Sequence, residues 1–89
     1  MASVPFDQMQ GVIWLNGSLV DWQDAKIHIL SHGLHYGGTV FEGERAYGGT
    51  IFKSTEHSER LKKSANILDF EIPYSAAEID AAKRLVVEK

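Results

Sequence analysis

At 89 residues, 44% hydrophobic and 24% charged, the chain has the length and composition of one small soluble domain, which buries roughly 60–65% of its unfolded surface. A formal charge of −3 argues against nucleic acid or an anionic membrane as a general partner. The absence of cysteine excludes a disulfide framework, a thiolate metal site and a cysteine nucleophile. The apolar runs are too short to span a bilayer, and the first residues lack a basic segment followed by a long apolar one, so the expected location is the cytoplasm.

The first predicted element is a hairpin. Val12-Ile13-Trp14-Leu15 leads into Asn16-Gly17, and Ser18-Leu19-Val20-Asp21-Trp22 leads out. Asn-Gly tolerates the two positive φ angles of a type I′ turn. Ile27-His28-Ile29-Leu30 then has strand character. Six of the eight glycines fall between Gly33 and Gly49. Gly33 to Gly38 is too glycine-rich for a stable helix and predicts a tight turn, at most one helical turn long. Thr39 to Tyr47 reads as a strand, Gly48-Gly49 as a turn, and Thr50 to Lys53 as the returning strand.

Two helices follow. His57, Leu61, Ala65 and Leu68 recur at helical spacing over 55–68, and Pro73 separates that helix from the next. Ser75 with Glu78 forms a capping box, after which Ile79, Ala82, Leu85 and Val86 mark an apolar face. Strands first and helices later predict an α+β layer, two helices on an antiparallel sheet. The pattern is still helical at Lys89, with no closing glycine or following proline, which fits either a helix that continues in a longer protein or a small protein that ends in one.

Three groups of residues bear on chemistry. His28, His32 and His35 would share a face on a helix, but the strand-like start and the surrounding glycines work against one, so no metal site is expected. In 40–47, strand alternation puts Phe41, Gly43 and Arg45 on one face and Val40, Glu42, Glu44 and Ala46 on the other. The first face is either a pocket wall or part of an ordinary edge strand. Glu42 and Glu44, if buried, would need partners. Arg60 lies beside the apolar stripe of its helix, where it is either a solvated flank charge or a bidentate phosphate grip. No P-loop or G-x-G-x-x-G is present, and no lysine has surroundings that mark it as a Schiff-base nucleophile.

The order of motifs adds a resemblance. I-W-L-N-G-S-L-V-D-W, then H-Y-G-G-T-V-F-E-G-E-R, then E-H-S-E-R-L resembles the amino-terminal small domain of branched-chain amino acid aminotransferases, fold-type IV enzymes that use pyridoxal 5′-phosphate. The resemblance runs from about Val12 to the end of the chain. It implies that residues 1–89 are one domain of a two-domain enzyme roughly three times longer, and that the cofactor-attaching lysine lies in the absent domain. No catalytic residue is therefore expected here, and the chain alone is expected to be inactive.

By the same resemblance Arg60 contacts the cofactor phosphate, and Phe41 and Gly43 line the substrate side-chain pocket. Tyr36 reaches a neighbouring subunit's site, and Arg45 supports the pocket. The implied partners are amino acid and 2-oxo acid substrates in a homodimer or higher homo-oligomer, with branched-chain L-amino acids and 2-oxoglutarate as the exchanging pair. D-amino acid aminotransferase and aminodeoxychorismate lyase share these motifs and stay open. So does a stand-alone, non-catalytic association module.

Overall fold

Asn16 and Gly17 both take positive φ, 50° and 102°, as the sequence requires of them. They join β1 (Val12–Leu15) to β2 (Ser18–Asp21) in an antiparallel ladder that sets Val12 opposite Asp21 and Leu15 opposite Ser18. The chain is seen in a computed structural model that describes Pro5 and residues 8–88. The ladder stops one residue earlier than the sequence suggests, because Trp22–Asp24 winds into a 3-10 turn.

The expected strand at 27–30 does not form. His28 organises a turn instead: its Nδ1 accepts the Leu30 N–H at 3.0 Å, and its carbonyl accepts the Ser31 N–H at 2.9 Å. A side chain that satisfies its own neighbouring backbone removes the donors a ladder would use. The single helical turn expected among the glycines is present as α1 (His32–His35).

The strand read over 39–47 shrinks to β3 (Ala46–Tyr47), which pairs with β4 (Thr50–Ile51) around Gly48-Gly49. Both glycines have positive φ, 57° and 82°. The α+β class stands, but its sheet is two separate antiparallel hairpins, β1-β2 and β3-β4, among the described residues. Residues 37–45 have no ladder partner among those residues.

Helix α2 (Ser54–Ile67) follows Lys53, which sits in the left-handed region at φ 54°. Its other end closes with the Phe70 N–H donating to Ala65 O and Asp69 N–H to Asn66 O, both at 3.0 Å, while Asp69 takes φ 64°. That pair of bonds is a Schellman closure with aspartate in the position usually held by glycine. Helix α3 (Ala76–Glu88) has the capping box predicted for it: Ser75 Oγ accepts Glu78 N–H at 3.1 Å, and Glu78 Oε1 accepts Ser75 N–H at 3.0 Å.

The core is a seam between α2 and α3, where Ala65 and Ala82 are the buried hydrophobic residues. The seam is also polar. Asp80, which the sequence left outside the apolar face, is buried and accepts hydroxyl bonds from Ser54, Thr55 and Ser58 at 3.2, 2.8 and 2.5 Å. On the β1 side, Trp14 meets Tyr74 edge to face, centroids 5.0 Å apart. Lys62 Nζ donates to the carbonyls of Ile72 and Tyr74, tying the α2–α3 connection back onto α2.

Candidate functional site

Residues 40–45 keep the period-two alternation of a strand without the strand. Val40, Glu42 and Glu44 are half-buried, while Phe41, Gly43 and Arg45 face outward. The two inward carboxylates find the partners that burial demands. Glu44 accepts Lys83 Nζ of α3 at 2.7 Å, and Lys83 also donates to Ser54 O at 2.9 Å. Glu42 turns to α2 instead. Each carboxylate therefore pins one inward residue of the segment to a different helix, which presents Phe41 and Gly43 on the opposite side.

The Glu42 contacts are the densest charge cluster on the described surface outside the α2–α3 seam. Arg60 donates Nε to Oε2 at 2.8 Å and to Oε1 at 3.0 Å, and Nη2 to Oε1 at 2.6 Å. His57 Nδ1 lies 2.6 Å from the same Oε1. A carboxylate has no proton to give, so Nδ1 carries the hydrogen and donates it. The 3.3 Å approach of Arg60 Nη2 to that nitrogen is then a contact of two donors, not a hydrogen bond. His57 and Arg60 share one side of α2 because they are three residues apart.

The bonds from Arg60, and after them the one from His57, hold the Glu42 carboxyl down at about 2, well below its ordinary 4.5. The same bonds from Glu42 raise the Arg60 guanidinium above its usual range. The carboxylate side chain is only 9% exposed, against 65% for Arg60. The ion pair is thus anchored at its acidic end and open at its basic end.

The expected site residues occupy different places. Tyr36 ends α1 and lies against the rings of His32 and His35, at 5.1 and 4.8 Å between centroids. It lines an open hollow of about 620 Å³ together with His32, Gly38, Leu68 and Phe70. Gly38 has no room for a Cβ there, since His32 occupies that space. Arg45 lines a separate hollow of about 240 Å³ with Glu44, Lys83 and Val86. Phe41 is 86% exposed, and a Cβ on Gly43 would meet open space. Neither hollow contains Phe41, Gly43 or Arg60.

The sequence reading missed Glu42 and His57 as parts of the cluster. The alternation over 40–47 put Glu42 on the face opposite Phe41, Gly43 and Arg45, and the H-x-x-R spacing puts His57 beside Arg60, so both signals were present. What the sequence lacks is the register that brings residue 42 against residue 60.

Taken together, the described residues form the α+β layer that the resemblance implies, with a guanidinium held out on a helix beside an extended, glycine-bearing segment. The comparisons agree and are more particular. The chain is 51% identical over all 89 residues to a probable branched-chain-amino-acid aminotransferase of Rickettsia felis, of which it spans 31%. A crystal structure of the branched-chain aminotransferase of the thermophilic archaeon Thermoproteus uzoniensis, with norvaline, superposes at a TM-score of 0.84 and 40% identity over 90% of this chain and 28% of that one.

A second structure, the T.th. branched-chain amino acid aminotransferase complexed with N-(5′-phosphopyridoxyl)-L-glutamate, gives 0.80 and 45% over 89% of this chain and 28% of that one. No family model matches the chain. The chain is thus similar to branched-chain aminotransferases in sequence and fold through nearly its whole length, while spanning roughly a quarter to a third of the curated relatives it matches.

Proposed function

We propose that this chain is the small domain of a pyridoxal-phosphate-dependent aminotransferase. The complete enzyme exchanges the amino group between branched-chain L-amino acids and 2-oxoglutarate. It works in the cytoplasm as a homodimer or higher homo-oligomer, with the cofactor-attaching lysine supplied by sequence outside residues 1–89. The observation that carries the reading is the 51% identity over all 89 residues to a probable branched-chain-amino-acid aminotransferase.

The residues present fit the cofactor's phosphate. Glu42 occupies Arg60 Nε and one hydrogen of Nη2, and no other bond of Arg60 to the described residues takes its remaining three N–H groups. These form the end-on edge of the guanidinium, which matches a phosphate bidentately. Pyridoxal phosphate bound there supplies an electron sink for chemistry at the substrate's α-carbon. The chain's own contribution is to grip and to shape. Arg60 holds the phosphate, Phe41 and Gly43 offer an apolar wall with a gap, Arg45 supports that wall, and Tyr36 serves the neighbouring subunit's site.

An aromatic wall discriminates weakly, since one methylene is worth only about 1–3 kcal/mol. Branched-chain specificity is therefore shared with residues beyond this chain.

The test is to assay the protein that carries this chain together with its downstream sequence. Glutamate should form from 2-oxoglutarate with L-leucine, L-isoleucine or L-valine, and residues 1–89 alone should form none. Turnover of D-alanine in place of these would move the reading to a D-amino acid aminotransferase. Conversion of 4-amino-4-deoxychorismate to 4-aminobenzoate and pyruvate would move it to a lyase.

A further inference from the structure

Arg60 is a long, flexible side chain with 65% of its surface exposed, and a free guanidinium in that position samples many rotamers. It is not free here. The side-on edge of its fork is clamped by one nearly buried carboxylate, and that carboxylate is itself held by a second helix residue, His57, at 2.6 Å. The clamp has an electrostatic cost, because a negative charge beside the arginine repels any anion that approaches it. An arginine serving only as a positive charge gains nothing from this arrangement. An arginine that must present one edge at one angle does.

We propose that Glu42, braced by His57, is a positioning residue for the phosphate grip of Arg60, fixing the guanidinium so that its end-on edge faces the phosphate monoester; this rests on the reading of Arg60 given above. Glu42 itself touches no ligand. Its action is to remove in advance the rotamer freedom that phosphate binding would otherwise have to freeze. Immobilising one such side chain corresponds to about threefold to tenfold in a dissociation constant.

The sign of the effect separates positioning from charge. Glu42→Gln deletes the repelling charge while keeping the side chain's size. If charge alone governs, the variant binds phosphate more tightly; if positioning governs, more weakly. The probe is pyridoxamine 5′-phosphate, which has no aldehyde to condense with lysines, compared with pyridoxamine, which has no phosphate. Binding to the cofactor-free form of the protein that carries this chain together with its downstream sequence is followed through the guanidinium NMR signals of Arg60.

The expected result is a dissociation constant for pyridoxamine 5′-phosphate raised threefold to tenfold in Glu42→Gln, with pyridoxamine unaffected. Unchanged or tighter binding of the phosphate compound by the variant overturns the proposal and leaves the reading of Arg60 intact. Absence of any Arg60 response in the unsubstituted protein overturns that reading, and the proposal with it.

A measurement on the unsubstituted protein covers the case in which Glu42→Gln does not fold. Rotation about the Arg60 Nε–Cζ bond should be slow before ligand is added, giving resolved Nη signals. Addition of pyridoxamine 5′-phosphate should shift Nη1 more than Nε. A freely averaging guanidinium in the absence of ligand contradicts the proposal.

Discussion

Ser58 of α2 is wholly buried, and its hydroxyl reaches a carboxylate oxygen of Asp80 on α3 at 2.5 Å. With Ser54 and Thr55 on the same carboxylate, three hydroxyls from one helix converge on one acid of the next. Among the described residues Ala65 and Ala82 are the only buried hydrophobic ones, so fully buried apolar side chains contribute little there. The polar network does much of the work of joining α2 to α3.

Removal of Asp80 should therefore be costly. Asp80→Ala strands the buried Ser58 hydroxyl without an acceptor, a loss of about 2 kcal/mol. Ser58→Ala leaves Asp80 two other hydroxyl donors and should cost about 1 kcal/mol. Because the two residues share one network, the double variant should be clearly less destabilised than the sum of the singles. Urea unfolding of the four proteins measures this, and strict additivity would show that the network is not coupled.

Acid should act through the same carboxylates. The hydroxyl of Ser58 first, then those of Thr55 and Ser54, lower the Asp80 carboxyl below its ordinary 3.8. The Ser75 backbone N–H and hydroxyl lower Glu78 below 4.5, and Arg60 with His57 takes Glu42 down to about 2. A carboxyl with a lower pKa in the folded chain binds its proton more readily when unfolded. Its stabilisation is complete above the unfolded value and is lost as pH falls through the folded one. Thermal midpoints should be insensitive to these groups above about pH 5 and should fall between about 4.5 and 2 for Glu42, with Asp80 entering below 3.8. Glu42→Gln should flatten that decline, and parallel profiles would remove Glu42 from the account.

Much of this was legible before the structure and some of it was not, for identifiable reasons. Asn16-Gly17, Gly48-Gly49 and the Ser75/Glu78 box are local: each satisfies its own φ angles or backbone groups, so the sequence suffices. The strand expected over 39–47 failed because a strand is defined by a partner, and residues 39–45 have none among the described residues. Its alternation survived, since Glu42 and Glu44 turn inward regardless of any ladder. Asp80 was unreadable because a carboxylate outside the apolar face reads as a solvated charge until three hydroxyls from another helix are placed against it. The resemblance pointed to Arg60, whereas Glu42 needed the tertiary register.

The hairpin gives a backbone test. Gly17 holds φ 102°, and a Cβ there would meet only the Tyr74 hydroxyl, at an ordinary 3.4 Å. Gly17→Ala is thus strained by conformation rather than by crowding, with an expected cost of about 1 kcal/mol. If a thermal melt instead shows the variant equally stable, the turn has relaxed to another type.

The surface predicts self-association. Ile27, Ile29, Leu30 and Leu34 are each at least 60% exposed, as are Tyr36 at 73% and Phe41 at 86%. Single exposed apolar residues are ordinary, but six within one stretch of fifteen residues are not. Where such residues share a patch, association removes it from water at about 25 cal/mol per Å². The isolated chain should therefore sediment as a dimer or larger species, with the weight-average mass rising as concentration rises. Replacing Ile29 and Leu34 together with serine should shift the distribution toward monomer without changing the far-ultraviolet circular dichroism, because both side chains lie outside the α2–α3 seam. A monomer that persists at millimolar concentration would show that this surface is tolerated in water, and would remove exposed hydrophobicity as a reason for the chain to seek a partner.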